Sequence, residues 1–226
     1  LAASLDGDAD RVVFFQPEPF HLLDGDRIAC LFATLLRRLG PAHLQIGVVQ
    51  TAYANGAATR YLQSLGAEVA CTPTGVKHLH KAAHDYAVGI YFEANGHGTV
   101  LFRETMTGQL SDWARLFNPC VGDGIADLLA VLEALRLLGW SASDWIAMYT
   151  DLPNVLRKVS VPRRGMIKTI DADRQVVEPA GLQAEIDRLV GGYYPQARAF
   201  VRASGTETVV RIYAEAASIS DANALA

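Results

Sequence analysis

The sequence predicts an α/β fold, a mixed α/β domain followed by a smaller α+β C-terminal domain, on three observations. Strand-like and helix-like stretches alternate between residues 44 and 102, the pattern of an α/β layer with mostly parallel strands. A boundary signal, "TDLPN", falls at 150–154. Beyond it the texture changes to a strand, a helix and a strand pair.

Each element has a local reason. "DRVVFFQP" is aromatic and β-branched and ends in proline, a strand signal. "DGDRIACLFATLLRRLG" has an acidic start, helical apolar spacing, late basic residues and a closing glycine, so it reads as a helix. "LQIGVVQT" is a buried strand, "NGAATRYLQSLG" a helix and "AEVACT" a short strand. "TGVKHLHKAAHDYA" is a helix with Thr74 as its expected cap, and "VGIYFEANGHGTVLF" is two strands about a polar turn. "GDGIADLLAVLEALRLLGW" is a strong helix with Asp123 as N-cap, and "SASDWIAMY" a short one. The final unit takes "LRKVSVPRR" as a strand, "GLQAEIDRLVGGY" as a helix and "ARAFVRASGTETVVRIYAEA" as a strand pair. No internal repeat or low-complexity segment is visible.

Composition narrows the classes of function. The chain has 226 residues, 50% hydrophobic and 19% charged, ordinary for a globular protein with a real core. A net charge of -4 and an isoelectric point of about 5.9 give no electrostatic reason to expect nucleic acid or an anionic membrane as partner. Cys30, Cys71 and Cys120 form neither a disulfide framework nor a metal pair, so a reducing cytoplasm is the default. The longest apolar helix, 125–138, is interrupted by Asp127, Glu133 and Arg136, and no signal peptide is visible. A first residue of Leu and a last stretch, "SISDANALA", that reads as a helix cut short lead to the expectation of a fragment.

Four loops carry chemistry. In "LDGDADR", Asp6, Asp8 and Asp10 alternate with small residues, a spacing that lets carboxylates converge on a hard cation such as Mg²⁺. An EF-hand is excluded, because Arg11 replaces the turn glycine and a strand follows where a helix is required. The alternative is a solvated acidic turn, with Arg11 as charge neutraliser. The "DGD" at 24–26 opens a helix and is read as capping. "RASGTETVVR" combines Arg202, Ser204, Gly205, Thr206 and Arg211, suited either to an anion nest with bidentate arginines or to a plain hairpin turn. "FEANGHGT" places Glu93, Asn95 and His97 after a strand, suited to sugar hydroxyls or to a plain Asn-Gly hairpin. Lys77 and His78 lie near a helix N-terminus, a favourable place for an anion. His80 and His84 recur four residues apart, and without a Glu in HExxH they are read as an exposed face.

Together these loops resemble the phosphoacetylglucosamine mutases, a branch of the α-D-phosphohexomutase superfamily. "LDGDADR", "VVQTAYANGAATRYL", "TPTGVKHLHKAA", "GIYFEANGHGTVLF", "VGDGIADLL", "YTDLPN" and "FVRASGTETVVRIYAEA" occur in this order over essentially the whole chain. "FEANGHG" and "TGVKHLH" are specific to the branch, whereas "DGDADR" is shared across the superfamily. The resemblance implies a four-domain enzyme with its active site between domains, interconverting N-acetylglucosamine 6-phosphate and 1-phosphate. A phosphoserine gives its phosphate to the sugar, making a bisphosphate that reorients. On this likeness Asp6, Asp8 and Asp10 bind Mg²⁺ and Arg11 lies against the phosphoryl group in flight. Glu93, Ala94 and Asn95 hold the sugar with Lys77 and His78 nearby. Arg202, Ala203, Ser204, Gly205, Thr206 and Arg211 grip the non-reacting phosphate. The implied parts are the tail of domain two with the metal loop (1–22), the sugar-binding domain three (23–150) and a truncated, phosphate-binding domain four (151–226).

Two departures accompany the likeness. The branch's nucleophile sits in a Thr-Ala-Ser-His-Asn-Pro-like loop that this sequence lacks, so turnover by this chain alone is not expected. Ala203 stands where the branch has proline, which loosens the turn and leaves the phosphate-binding groups in place. The competing readings are a mutase for another hexose phosphate, a non-catalytic sugar-phosphate binder, and a structural domain whose loops are ordinary turns.

Overall fold

Strands form where the sequence is most apolar, beginning beside the aspartates. The computed structural model describes residues 1–163, 165–193 and 197–226. They fall into two units, Leu1–Cys71 with Gly75–Thr150 and Thr72–Thr74 with Asp151–Ala226.

The first unit opens with β1 (Ala2–Leu5), β2 (Val12–Gln16) and β3 (His21–Leu23), an antiparallel sheet in that order. Then come α1 (Gly25–Leu39), β4 (Ile46–Thr51), α2 (Gly56–Ser64), β5 (Glu68–Thr72), α3 (Val76–Ala83), β6 (Val88–Phe92) and β7 (Gly98–Phe102). Helices α4 (Gln109–Ala114), α5 (Gly124–Leu138) and α6 (Ala142–Ile146) complete it. The second sheet runs β5-β4-β6-β7, with β4 and β6 parallel and β6 and β7 antiparallel. The mostly parallel layer expected from the alternation is therefore interrupted at β7. The Asn-Gly turn makes β7 a hairpin partner of β6 rather than the end of another crossover.

Every residue of β4 and β6 is buried, as in a sheet covered on both faces. Alternation divides the faces. Ile46, Val48, Ile90 and Val100 join the main core with α1, whereas Val49, Tyr91 and Leu101 join Leu79 and Ala83 of α3. The main core is keyed by rings: Phe32 meets Trp113 edge-on at 5.1 Å, and Trp113 meets Phe117 at 4.8 Å. Full burial of one such side chain contributes about 1.5–3 kcal/mol. Trp113 Nε1 donates to Ala130 O (3.0 Å), which binds α4 to α5 without leaving a buried polar atom unmatched.

The caps are local and follow the sequence. Asp24 accepts from the N–H groups of Asp26 and Arg27, Asp123 from Ile125 and Ala126, and Ser141 with Asp144 forms a capping box. Thr74 does not cap α3. Gly75 occupies that place at φ 127°, a conformation that a threonine would resist, and no side chain accepts there. Buried Arg27 donates to the carbonyls of Ile146 (2.9 Å) and Tyr149 (3.0 Å), and its guanidinium lies 3.7 Å from the Tyr149 ring centre.

The second unit contains β8 (Asn154–Ser160), β9 (Lys168–Ile170), β10 (Gln175–Glu178), α7 (Leu182–Gly191), β11 (Arg198–Ala203), β12 (Val209–Glu215) and α8 (Ile219–Leu225). One sheet runs β11-β12-β8, antiparallel throughout, and β9 pairs with β10 in a hairpin. The end of the stretch "LRKVSVPRR", Arg164, lies outside the described residues. Glu215, buried on β12, accepts from Arg198 Nε (3.1 Å) and the Tyr213 hydroxyl (2.8 Å). Among the described residues, no helix is long and apolar enough to cross a membrane.

One buried carboxyl works against the fold. Asp127, in the first turn of α5, is 1% exposed, and its Oδ2 has no hydrogen-bond partner. Burial, followed by the charge of Asp123, raises its pKa to about 8. A carboxyl raised in the folded state carries no ionisation penalty below its ordinary pKa of 3.8, and that penalty grows as pH climbs towards 8. Asp127→Asn should therefore be more stable than the parent by up to about 4 kcal/mol at pH 7. Urea unfolding followed by circular dichroism should show the gap closing as pH falls to about 4.

Candidate functional site

In the first unit the aspartate loop folds back on itself before β2. Ala9 adopts φ 58° and Ala9 N–H donates to Asp6 O (3.3 Å), so the carboxylates of alternate residues turn to one side. One oxygen from each of Asp6, Asp8 and Asp10 lies within 4.8 Å of the others, the sole such acidic group among the described residues. Arg11 N–H donates to Asp6 Oδ1 (3.2 Å), and Arg11 Nε stands 3.5 Å from both Asp6 and Asp10. Asp10 Oδ1 is buried and accepts no hydrogen bond; it is the Asp10 oxygen that faces Arg11 Nε at 3.5 Å. An all-oxygen donor set with an unfilled buried lone pair fits a hard cation of the Mg²⁺ type.

The Glu-Ala-Asn-Gly-His turn packs directly on that loop. Val12 N–H donates to Gly96 O (3.3 Å), and Arg11 bridges His97 as an isolated antiparallel pair. Gly96 sits at φ 87°, where a Cβ would lie 2.0 Å from Val12 O, so no other residue allows this approach. His97 Nδ1 is 3.2 Å from Asp10 Oδ2, linking the turn to a member of the acidic group. On the other side, Gly25 N–H donates to Ala94 O (3.4 Å), so the turn also rests on the start of α1.

Within the turn the polar groups hold one another. Asn95 Nδ2 donates to Glu93 Oε2 (3.3 Å), and Asn95 Oδ1 accepts from His97 N–H (3.0 Å). Glu93 Oε1 accepts from Gly75 N–H (3.1 Å), which ties the sugar-turn candidate to the N-terminus of α3. That contact brings Lys77 and His78 to the same region. A cavity of about 550 Å³ is lined by Asp10, Lys77, Tyr91, His97, Cys120 and Gly122 among others, and His78 is not in its wall.

The remaining candidates belong to the second unit. Arg202 on β11 and Arg211 on β12 are direct cross-strand partners. Like charges directly opposite destabilise a sheet unless something negative lies between or beside them. Here Asp173 Oδ2 stands 3.5 Å from Arg202 Nε, and Glu207 Oε2 accepts from Arg211 (2.7 Å). Lys158 holds the other Glu207 oxygen at 2.8 Å, and that bond, followed by the arginine, keeps the Glu207 carboxyl below its usual pKa. Buried Ser204 shapes the turn: its Oγ accepts from the N–H groups of Thr206 (3.4 Å) and Glu207 (3.2 Å). Ala203 closes β11 opposite Val210, and Gly205 and Thr206 are exposed at the tip.

The structure thus assembles Asp6, Asp8, Asp10, Arg11, Glu93, Ala94 and Asn95 with α3 in one unit, and Arg202 to Thr206 with Arg211 in the other. The role of His97 as the link to Asp10 and the place of Tyr91 and Cys120 in the cavity wall were not read from the sequence. His97 carries a signal in retrospect, since the hairpin that sets Glu93 inward also sets its partner four residues on.

The comparisons agree on one family. Residues 24–115 match "Phosphoacetylglucosamine mutase AMG1, domain III", and residues 156–226 match "Phosphoglucomutase/phosphomannomutase, C-terminal domain". The chain is 49% identical to Phosphoacetylglucosamine mutase 1 of Schizosaccharomyces pombe, over all of this chain and 48% of that protein. It is 49% identical to the Homo sapiens phosphoacetylglucosamine mutase, over 99% of this chain and 46% of that one. It superposes with a TM-score of 0.93 and 47% identity on Aspergillus fumigatus N-acetylphosphoglucosamine mutase in complex with GlcNAc-6P and magnesium, covering 99% of this chain and 50% of that one. The chain therefore spans about half the length of these relatives.

The coupling of loop and turn is open to direct measurement. Gly96→Ala should lower the unfolding free energy by about 2–4 kcal/mol, because it adds both a clash and a strained φ. Urea titration would read that loss, and Gly205→Ala, where a Cβ meets nothing within 4 Å, is the matched control.

Proposed function

Because the chain belongs to the phosphoacetylglucosamine mutase family of the α-D-phosphohexomutase superfamily, we propose that it supplies metal-, sugar- and phosphate-binding parts of a mutase. That enzyme interconverts N-acetylglucosamine 6-phosphate and N-acetylglucosamine 1-phosphate on the way to UDP-N-acetylglucosamine. The phosphoserine it uses comes from residues outside this chain, which has no loop of that kind. The three free thiols suit a cytoplasmic setting.

The observation that carries the reading is the stitch between the acidic loop and the Glu-Ala-Asn-Gly-His turn within one unit. Asp6, Asp8 and Asp10 would hold Mg²⁺, which when bound neutralises charge on a neighbouring phosphoryl group. Arg11, already drawn against the carboxylates, adds a fixed positive charge where equatorial phosphoryl oxygens would lie. Glu93 and Asn95, locked to each other and to Gly75, offer oriented acceptors and donors for sugar hydroxyls, and Lys77 on the following helix meets an anion. Arg202 and Arg211 take the non-reacting phosphate, which replaces the carboxylates that now pair with them. Phosphoryl transfer asks the protein mainly for position and charge, and these groups provide both.

Two experiments test this. Mn²⁺ as a paramagnetic probe should bind one site that Mg²⁺ displaces, and Asp8→Asn should weaken it by at least about tenfold. Calorimetry should show the chain binding N-acetylglucosamine 6-phosphate, with Arg202→Ala weakening it by about tenfold or more. Equal affinity for glucose 6-phosphate would favour a mutase for another hexose, and no binding of either sugar phosphate would sink the assignment.

A further inference from the structure

On the helix face read as exposed, His84 is exposed and His80 half-buried, and the two rings also meet each other. His80 and His84 turn their Nε2 atoms towards each other at 3.2 Å, with the rings nearly perpendicular. Zinc bonds imidazole at about 2.0–2.1 Å, so two nitrogens on one tetrahedral ion stand about 3.3 Å apart. The pair's separation matches that bite, at the distance of the hydrogen bond the two nitrogens share, which a bound ion would replace.

We propose that His80 and His84 chelate a borderline divalent cation, Zn²⁺ foremost, at a site separate from the Asp6–Asp8–Asp10 loop. Four residues on one helical face bring the rings together, and the fold then fixes them. His80 Nδ1 lies 2.9 Å from the hydroxyl of Tyr91, whose residue is 1% exposed and immobilised in β6. With the phenol accepting from Nδ1–H, the Nε2 lone pair of His80 is left facing His84. This is the outer-sphere arrangement that orients metal-bound histidines. His84 follows the last turn of α3, and Arg103 Nη1 donates to its carbonyl (2.9 Å), so its backbone is also held.

The donor chemistry selects the ion. No third carboxylate, thiolate or imidazole among the described residues joins the pair, so the protein offers two neutral nitrogens and leaves the other positions to water. Imidazole pairs favour zinc, copper or nickel, whereas Mg²⁺ prefers the oxygens of the aspartate loop. Burial, then the neighbouring His84, holds the His80 imidazole below the usual histidine pKa, which keeps its lone pair available at neutral pH. Binding requires no net proton release from two neutral rings, only the tautomer with hydrogen on each Nδ1. His80 and Tyr91 also line the cavity that contains Lys77, so a bound ion would stiffen one of its walls.

The test is calorimetric titration of ZnCl₂ into the whole chain with Mg²⁺ in millimolar excess and the thiols alkylated. One equivalent should bind with micromolar affinity. Histidine ¹⁵N resonances should report both Nε2 atoms as ligands. His84→Ala, an exposed change that leaves the Arg103 contact to its carbonyl, should weaken binding by at least about tenfold, and Tyr91→Phe by a smaller factor. Circular dichroism would verify that the variants stay folded. The proposal is overturned if the parent shows no saturable zinc binding, or if His84→Ala retains the parent's affinity.

Discussion

One close backbone approach in the first unit holds its candidate site together. Val12 and Gly96 meet through a hydrogen bond that tolerates no side chain at Gly96. From this contact, Arg11 and the acidic group are fixed on one side and Glu93, Asn95 and His97 on the other. Because Glu93 also holds Gly75 and Ala94 rests on Gly25, the starts of α3 and α1 inherit their positions from the same turn. The scaffold is rigid where it must be: β4 and β6 are buried on both faces, and Phe32, Trp113 and Phe117 interlock behind them. Loops carrying polar groups can then be held to tight tolerances without a large network of their own.

What was legible in the sequence was mostly local. Asp24, Asp123 and Ser141 announced helix starts because capping is decided within a turn of chain. Val, Ile and Phe runs announced strands for the same reason. Thr74 was a poorer guide, since the chain enters α3 through a backbone conformation that suits Gly75 and needs no cap. The hairpin of β9 and β10 gave no glycine signal: Asp171, Ala172 and Asp173 all take positive φ, a choice set by the surrounding turn. Among candidate site residues, types and neighbours could be read, but pairings could not. The link from Asp10 to His97, the ion pair of Asp173 with Arg202 and the hydrogen bond of His80 with Tyr91 each join segments that meet only on folding.

The family likeness reached further than periodicity because it rests on the order of several loops at once. Periodicity sees the apolar residues that build a layer, and many unrelated proteins share them. The acidic loop, the Asn-Gly-His turn and the Ser-Gly-Thr turn are each weak signals, compatible with ordinary turns. Their joint presence on one scaffold is far more restrictive. Strand pairing explains why: each turn keeps its residues only if the element beneath it is in register.

The cross-strand arginines have a bearing on how this chain tolerates change. Placing Arg202 opposite Arg211 sets like charges in register, and Asp173 and Glu207 offset that only in part. Selection for heat resistance alone would discard one of them, since a neutral β-former at either position removes the repulsion and fits the sheet better. On the proposed phosphate-binding role, the pair is a place where durability and ligand affinity pull in opposite directions. Laboratory evolution towards a hardier protein, run without the ligand, would erode this pair early.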